Sequence, residues 1–264
     1  MRPIALVGSL SIDRVGGGPP RAGGMPTWSA RALRALGTGA WVATKCAPED
    51  RPTLLRPLVA TGFPVDWLHA EKTTAFSFSY DGDVRAMTVD AVGDPWRPEE
   101  VAGIRARWVH VGPLLRSDFD AATLAALARG GRRVSLDGQG LVRVAREGPL
   151  VLESGLDADL LRHVTVLKLA EEEAEALLGE VTRDSLVALG VPEVLLTYGS
   201  RGSAVLAGGE LTEVPARPVD TDPTGSGDSF SAAYVAARAG GYAPVPAARR
   251  ATALVAALLA GRRR

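Results

Sequence analysis

A chain of 264 residues with 46% hydrophobic side chains is long enough to bury the core of one sizeable α/β domain. Lysine plus arginine balance aspartate plus glutamate at 30 each, and this neutrality argues against a nucleic-acid-binding protein. Cys46 is the single cysteine, which excludes an intrachain disulfide, and no stretch has the ~18 apolar residues that a membrane helix needs. We therefore expect a cytoplasmic protein with no nucleic-acid or membrane partner.

Apolar segments of strand length alternate with segments of helical period along most of the chain. The predicted strands are residues 3–8, 40–44, 108–111, 133–136, 164–167 and 194–197. The predicted helices are residues 27–36, 51–60, 118–129, 158–162, 171–178 and 183–189. Residues 16–24 form a Gly/Pro-rich loop, and a hairpin is predicted at residues 204–214. Because such alternation is typical of βαβ units, the sequence predicts an α/β fold with a mainly parallel sheet covered on both faces.

A second hairpin interrupts this alternation nearer the N-terminus. Residues 73–80 (TTAFSFSY) alternate polar and apolar side chains, and Asp81-Gly82-Asp83 separates them from an apolar segment at residues 84–89. This pattern predicts a β-hairpin with one solvated face. A hairpin inserted into an α/β fold is a candidate lid over a binding site. We therefore expect one domain, residues 1–264, with a small β lid formed mainly by residues 73–90.

The strongest local signal is the segment DPTGSGDSF, residues 222–230. Asp222-Pro223 marks a turn, Gly225-Ser226-Gly227 leaves the backbone free of large side chains, and a strong helix-forming segment starts at Asp228. Consecutive amides at a helix N-terminus bind anions, and the helix dipole favours an ionised carboxylate there. Asp228 is therefore a candidate base for a hydroxyl that attacks a bound phosphate. The alternative is that Asp222 or Asp228 only caps the helix.

Other glycine motifs fit the chain less well. No Gly-x-x-x-x-Gly-Lys-Ser/Thr segment is present, which argues against a P-loop of the Walker kind. The turn at Gly225 lacks the third glycine of the dinucleotide fingerprint and comes too late in the chain, which argues against an α/β dehydrogenase. Neither Ser200 nor Ser229 lies in Gly-x-Ser-x-Gly, so a hydrolase nucleophile elbow is not supported either.

DPTGSGDSF resembles the D-x-T-G-A/S-G-D signature of the ribokinase (PfkB) family of sugar kinases, and other segments agree with that family in order and spacing. They are GSLSID at residues 8–13, the pair Gly23-Gly24 before a helix, TYGSRG at residues 197–202 and the hairpin at residues 73–89. The resemblance implies a three-layer α/β/α ribokinase-like domain with a small β lid. It also implies an enzyme that uses ATP to phosphorylate a hydroxyl of a small polyhydroxylated substrate, a sugar or a cyclitol.

The resemblance assigns roles to individual positions. Asp228 would deprotonate the substrate hydroxyl, and three backbone amides would stabilise charge on the transferred group, those of Gly225, Ser226 and Gly227. The substrate would be bound by Ser11, Asp13, Gly23, Gly24, Asp137, Gln139 and Arg143. Trp28 departs from the small or polar residues that the family has after the two glycines, and its position suits stacking on a ring substrate. The ATP would be bound by Lys168, Thr197, Gly199, Gly202 and Thr224.

The metal side departs from the family pattern. The family has an Asn-x-x-Glu motif that organises Mg²⁺ and phosphates, and here Ala170 stands at the Asn position while Glu173 is retained. Because Mg²⁺ keeps several waters, Glu173 is a candidate to hold it through water; the alternative is a solvated helix face. Asp222 resembles a position associated with a monovalent-cation site, which makes K⁺ a candidate cofactor beside ATP and Mg²⁺.

Residues 134–143 (VSLDGQGLVR), together with Lys168, resemble the branch of the family that contains myo-inositol kinases. Asp137, Gln139 and Arg143 supply enough polar groups for a polyol or phosphate pocket. The same loop could equally be a structural Asp-Gly turn, so the resemblance indicates this branch without excluding that role.

Two other functions and one interface stay open. An aromatic clamp from Phe76, Phe78 and Trp28 would favour a nucleoside as the acceptor. The loss of asparagine at Ala170 would favour a non-catalytic, ligand-binding relative of the kinases. The apolar content of residues 73–80 also allows a homodimer that pairs through the lid.

Overall fold

The computed structural model describes residues 4–81, 84–219 and 223–261. The strands are β1 (Ile4–Val7), β2 (Ser11–Val15), β3 (Arg21–Gly23), β4 (Ala40–Cys46), β5 (Val65–His69), β6 (Thr74–Asp81), β7 (Val84–Ala91), β8 (Trp108–Val111), β9 (Arg133–Asp137), β10 (Gly148–Pro149), β11 (Val166–Ala170), β12 (Glu193–Thr197), β13 (Gly202–Ala207) and β14 (Glu210–Pro215). The helices are α1 (Met25–Ala35), α2 (Arg51–Leu54), α3 (Arg56–Val59), α4 (Pro98–Val101), α5 (Ala121–Ala128), α6 (Gln139–Val142), α7 (Ala158–Leu161), α8 (Glu171–Leu178), α9 (Arg183–Ala188), α10 (Ser226–Ala239) and α11 (Pro244–Gly261).

The larger sheet contains nine strands in the described ranges, in the order β14-β13-β12-β11-β9-β8-β1-β4-β5. The strands from β12 to β5 pair in parallel, and β13 and β14 extend one edge as an antiparallel hairpin. All four residues of β1 are buried, as expected for a strand covered on both faces. The predicted parallel sheet and the hairpin at its edge are therefore confirmed.

Helices cover both faces of this sheet. One buried cluster joins the sheet to α4–α9 through residues such as Val101, Leu124 and Leu177. The opposite cluster joins it to α1–α3, α10 and α11 through residues such as Leu33 and Tyr234. The predicted three-layer α/β/α architecture is confirmed. In the described part of the chain, no helix is long and apolar enough to cross a membrane.

A second sheet, in the order β10-β7-β6-β2-β3, lies against the first. The predicted hairpin forms its β6 and β7, but β2, β3 and β10 come from other parts of the chain. Phe76, Phe78 and Val89 pack inward with Leu114 and Leu115. The apolar content on which the dimer prediction depends therefore lies on the inner face of this sheet.

Two local predictions differ from the structure. The predicted helix at residues 51–60 is divided into α2 and α3, because Pro57 near the start of α3 has no amide with which to continue the first helix. Part of the predicted loop at residues 16–24 is β3, which pairs with β2. This pairing adds β-structure to a Gly/Pro-rich segment that has no strand pattern of its own.

Candidate active site

The candidate site lies where the parallel strands of the larger sheet end. Asp137 is the last residue of β9, Lys168 lies near the end of β11, and Thr197 is the last residue of β12. Ligands of open α/β sheets bind outside the carboxyl ends of the strands, because the loops there converge. The second sheet covers this edge, so the strand ends and the inner face of the second sheet enclose one cavity of about 340 Å³.

This cavity contains most of the residues that the sequence singles out. It is lined by Ser11, Asp13, Gly24, Trp28, Asp137, Gln139, Arg143, Lys168, Glu173, Thr197, Gly199, Thr224, Gly225, Ser226, Gly227 and Asp228. Gly202 lines an adjoining cleft. Asp222, with its candidate K⁺ site, lies outside the described residues. Segments that are more than 200 residues apart in the sequence thus meet in one place.

The two consecutive glycines give the Asp13 carboxylate its place. A Cβ at Gly23 would lie 2.1 Å from Asp13 Oδ2, so a side chain there would displace the carboxylate. Gly24 has a φ of 89°, and a Cβ there would lie 2.5 Å from the Ser9 carbonyl oxygen. The Ser11 hydroxyl donates to Asp13 Oδ1 over 2.7 Å. Any other residue at position 23 or 24 would therefore collide with the Asp13 carboxylate or with the Ser9 main chain. Ser11 orients the Asp13 carboxylate through its hydrogen bond.

Asp228 lies in the first turn of α10, as the sequence predicts. Gly225 precedes this helix in the left-handed region, with a φ of 74°. The Ser226 amide donates to the Pro223 carbonyl over 2.9 Å. It is therefore already engaged in a turn, which argues against its predicted role as a free anion donor. The next amides of the helix, those of Gly227 and Asp228, belong to the group that has no acceptor inside an α-helix.

Buried charges form a cluster beside this turn. Lys168 Nζ lies 3.5 Å from Asp137 Oδ1 and 3.5 Å from Glu173 Oε2. Arg143 lies 3.9 Å from Glu173 Oε1. Burial opposes the charge of Lys168, but Asp137, Glu173 and Asp228 outweigh that effect and raise the pKa of Lys168 above its usual value. Lys168 is therefore a permanent cation at the floor of the cavity.

Burial and the neighbouring Asp137 raise the pKa of Asp228 to about 7, although Lys168 and Arg143 oppose the shift. This shift opposes the effect of the helix N-terminus, which by itself would favour the ionised carboxylate. The helix dipole contributes only about 0.3–1 kcal/mol at an ordinary site, which is less than the cost of burying a charge. A carboxylate that titrates near neutral pH is well suited to take up and release a proton.

Glu173 is buried, which rules out the solvated helix face as its position. Its Oε2 accepts from the Ala170 amide over 2.7 Å, and its other oxygen faces Arg143. Among the described residues, no group of three or more histidine, cysteine or acidic side chains could enclose a metal. The carboxylates that line the cavity nevertheless outnumber its cations. This charge balance fits an Mg²⁺ ion that arrives with a polyphosphate and touches the protein at few points.

A narrower cleft of about 160 Å³ continues from the cavity past Thr197, Gly199 and Gly227. Its walls are largely apolar and come from β13, the segment after β14, α10 and α11: Gly202, Ala216, Val219, Phe230, Val255, Ala256 and Leu259. No sequence motif pointed to the α11 residues. The sequence offers only the apolar spacing of an amphipathic helix there, and that spacing does not distinguish a cleft from a core.

Comparisons with known proteins find similar kinases. A family profile described as "pfkB family carbohydrate kinase" matches residues 151–263. Ribokinase of Bacillus subtilis (strain 168) is 27% identical over 267 residues, which cover 91% of this chain and 87% of that protein. Inositol 3-kinase of Oryza sativa subsp. japonica is 30% identical over 216 residues, which cover 78% of this chain but only 51% of the plant protein.

A solved structure is also similar over almost the whole chain. It is described as a pyrophosphate-dependent kinase in the ribokinase family, complexed with a pyrophosphate analog and myo-inositol. It superposes with a TM-score of 0.86 at 26% identity, and covers 97% of this chain and 94% of that one.

The three-layer α/β/α fold with a second sheet over the strand ends, together with the similarity to these kinases, indicates a small-molecule kinase. More specifically, residues 151–263 match the pfkB carbohydrate kinase family, and the chain as a whole is similar in sequence and fold to kinases of the ribokinase family.

Proposed function

We propose that the chain transfers the terminal phosphoryl group of ATP to a hydroxyl of an uncharged cyclitol of the myo-inositol type, with Asp228 as the general base. The observation that carries this proposal is the position of Asp228. It lies in the first turn of α10 and lines the same cavity as Asp137, Gln139 and the glycine-rich turn. The second sheet would act as a lid over the acceptor.

The cavity walls support a cyclitol as the acceptor. Asp13, Asp137 and Gln139 offer oxygen and nitrogen atoms to a ring of hydroxyl groups, whereas Phe76 and Leu114 offer an apolar surface to a ring face. The excess of carboxylates in the cavity would repel an acceptor that already carries a phosphate. Similarity to inositol 3-kinase and to a structure that contains myo-inositol points to the same class of acceptor.

The donor has two candidates, and each has an observation in its favour. The apolar cleft beside Gly227 would accept a nucleoside base, which supports ATP. The similar structure described as pyrophosphate-dependent supports inorganic pyrophosphate, which has no base to place in the cleft. We favour ATP, because burying a base against Phe230 and Leu259 would add apolar contact that pyrophosphate cannot make.

In the proposed reaction, Asp228 accepts the proton of the acceptor hydroxyl as its oxygen bonds to the terminal phosphorus of the donor. The bond from that phosphorus to the bridging oxygen breaks, and ADP leaves. The amides of Gly227 and Asp228, together with Lys168 and Arg143, would stabilise the negative charge that is spread over the transferred group. Asp13 and Ser11 would orient the acceptor through its other hydroxyl groups.

Mg²⁺ would accompany the donor phosphates and neutralise part of their charge. Glu173 would contact this ion through water, and its hydrogen bond from the Ala170 amide would keep the carboxylate in place. Ala170 itself has no side-chain ligand to offer. The protein would therefore contribute less to metal binding than the usual family motif does.

A two-way screen tests the proposal. ATP and pyrophosphate, each with Mg²⁺, are combined with myo-inositol, ribose, inosine and a myo-inositol monophosphate, and products are detected by phosphorus NMR. We expect phosphorylated myo-inositol with ATP and no turnover of the monophosphate. Turnover only with pyrophosphate would replace the donor, turnover only of inosine would favour the nucleoside kinase, and no turnover would favour a non-catalytic binding protein.

The pH dependence of kcat/KM for the acceptor is expected to follow the ionisation of Asp228. Its pKa is raised to about 7, and only the deprotonated form accepts a proton, so activity should increase with pH and level off above that value. Measurement from about pH 5.5 to 9 at saturating donor tests this. A profile that is already flat between pH 5.5 and 8 would contradict it.

A further inference from the structure

We propose that Trp28 is a positioning residue that holds the turn at Gly225, and thereby Asp228 and the first amides of α10, in the geometry for phosphoryl transfer. This inference rests on the proposed function for its catalytic consequence. It differs from the predicted role of Trp28, which is to bind the substrate directly.

The Trp28 ring lies so close to Gly225 that it occupies the space in which any other residue at position 225 would place its Cβ. A Cβ built on Gly225 would lie 2.1 Å from Cδ2, 2.4 Å from Cγ and 2.6 Å from Cε3 of the indole. The ring therefore lies against the Cα of Gly225, on the side where a side chain would otherwise be. Gly225 has a φ of 74°, a conformation that glycine adopts freely and also leaves freely. The indole restricts a backbone that has little restraint of its own.

Trp28 is fixed to the rest of the fold by its helix. The α1 residues Ala30 and Leu33 are fully buried in the cluster that also contains Phe230 of α10. The next residue, Ser29, donates its hydroxyl to the main-chain oxygen of Asp228 over 3.1 Å. The Arg31 guanidinium lies 5.2 Å from the centre of the Trp28 ring, at a distance suited to a cation–π contact. The ring is thus carried by a rigid element that already contacts the catalytic helix at two successive positions.

Movement of this turn would affect the chemical step more than acceptor binding. The turn leads directly into the amides of Gly227 and Asp228 and into the Asp228 carboxylate. A displacement of about 1 Å in a reacting group can lower a rate by about 10²-fold. Asp13, Asp137 and Gln139, which would bind the acceptor, lie on other elements and should keep their positions. We therefore expect Trp28→Ala to lower kcat about 10- to 100-fold while the acceptor KM changes less than about threefold.

The opposite pattern would identify direct stacking. Trp28 also lines the acceptor cavity, so a ring that stacks on the acceptor would give an increased acceptor KM with little loss of kcat. Trp28→Phe provides the conservative comparison, because phenylalanine keeps an aromatic ring at the site. It should recover most of the kcat that alanine loses if contact with Gly225 is what matters.

Backbone hydrogen exchange tests the contact without any need for activity. Trp28→Ala should increase amide exchange in residues 223–229, whereas Trp67→Ala should leave it unchanged. Trp67 is a matched control because it is also partly buried and has an arginine, Arg51, 4.5 Å from its ring centre, yet it lies on β5 away from the cavity. Circular dichroism of each variant confirms that the remaining fold is intact.

A second pair of variants addresses the steric argument. Gly225→Ala should lower kcat, because its methyl group would overlap the indole and the positive φ would be strained. In the Trp28→Ala background, Gly225→Ala should lower kcat by a smaller factor, because the methyl group then meets no indole ring.

Three results would decide between the possibilities. Unchanged exchange in residues 223–229 of Trp28→Ala overturns the proposal, even in an active enzyme. An increased acceptor KM at constant kcat overturns it in favour of stacking. Increased exchange in a protein that turns over no acceptor would sustain the contact and instead refute the proposed kinase function.

Discussion

Asp228→Asn should lower kcat by about 10²- to 10⁴-fold, with much smaller changes in the KM values for donor and acceptor. Asparagine has nearly the same shape as aspartate and keeps a hydrogen-bonding oxygen, but it cannot take up the proton of the attacking hydroxyl. The amides of α10, Lys168 and Arg143 remain in place, so binding of both substrates should survive. Steady-state rates with both substrates near saturation measure this effect.

A matched control separates a base from a helix cap. Asp120 also stands at a helix start, where its Oδ1 accepts from the Thr123 amide over 2.7 Å, but it does not line the cavity. Asp120→Asn should leave kcat within about twofold, because asparagine caps helices as well as aspartate does. The N-cap of α10 is Gly225, and Asp228 lies inside the first turn. If Asp228→Asn behaves like Asp120→Asn, then Asp228 serves only the helix start and is not a base.

The pH dependence of the stability of Asp228→Asn tests the raised pKa of Asp228 without any need for activity. Because burial raises the pKa of Asp228 from 3.8 to about 7, the folded protein retains a proton that the unfolded chain releases. The free energy of unfolding should therefore fall as the pH rises through this interval. The asparagine variant has no such ionisation, so its stability relative to the wild type should improve from about pH 4 to about pH 7. A constant difference over that range would show that the pKa of Asp228 is not raised by folding.

Lys168→Met should lower the free energy of unfolding by about 3–5 kcal/mol, because it leaves buried carboxylates without their cation. Asp137 and Glu173 each lie 3.5 Å from Lys168 Nζ, and all three side chains are buried. Lys168 also lowers the pKa of Asp228, so its loss should move the rise in activity to a higher pH. Denaturant unfolding near pH 7.5 measures the first effect, and the pH dependence of kcat/KM measures the second.

Two comparisons test this interpretation. Lys72 pairs with Glu147 at the exposed surface, and Lys72→Met should cost about 1 kcal/mol or less. Glu173→Gln should lower the free energy of unfolding less in the Lys168→Met background than in the wild type. In that background the substitution removes a carboxylate that has already lost its cation. Equal losses for Lys168→Met and Lys72→Met would mean that the cluster is solvated and contributes little.

The central sheet could be predicted because most of its strands have a recognisable apolar pattern within their own few residues. The strand from Ile4 to Val7 is apolar at every position, which is typical of strands covered on both faces. The glycine-rich turn before Asp228 could also be predicted, because Asp-Pro and Gly-Ser-Gly directly before a strong helix-forming segment are typical of a turn that leads into a helix. Asp13, Gly23 and Gly24 were assigned to the site by the family resemblance, because no local pattern of the sequence brings them together.

The second sheet could be predicted only in part. The hairpin of β6 and β7 alternates polar and apolar residues, but β3 has three residues and β10 has two. Segments of that length have no detectable period, and they become strands because a neighbour pairs with them. The apolar cleft beside α11 was missed for a related reason, since a helix face that lines a cleft has the same pattern as one that packs in a core.

Local sequence was thus sufficient for the fold class, the family resemblance and the identity of most residues in the cavity. Tertiary structure decided how those residues behave. The N-terminus of α10 alone would favour an ionised Asp228, yet burial beside Asp137 raises its pKa to about 7. Trp28, predicted as a substrate contact, lies against Gly225, almost 200 positions away in the chain. Burial, charge pairing and close packing depend on which distant segments meet, and no short stretch of sequence contains that information.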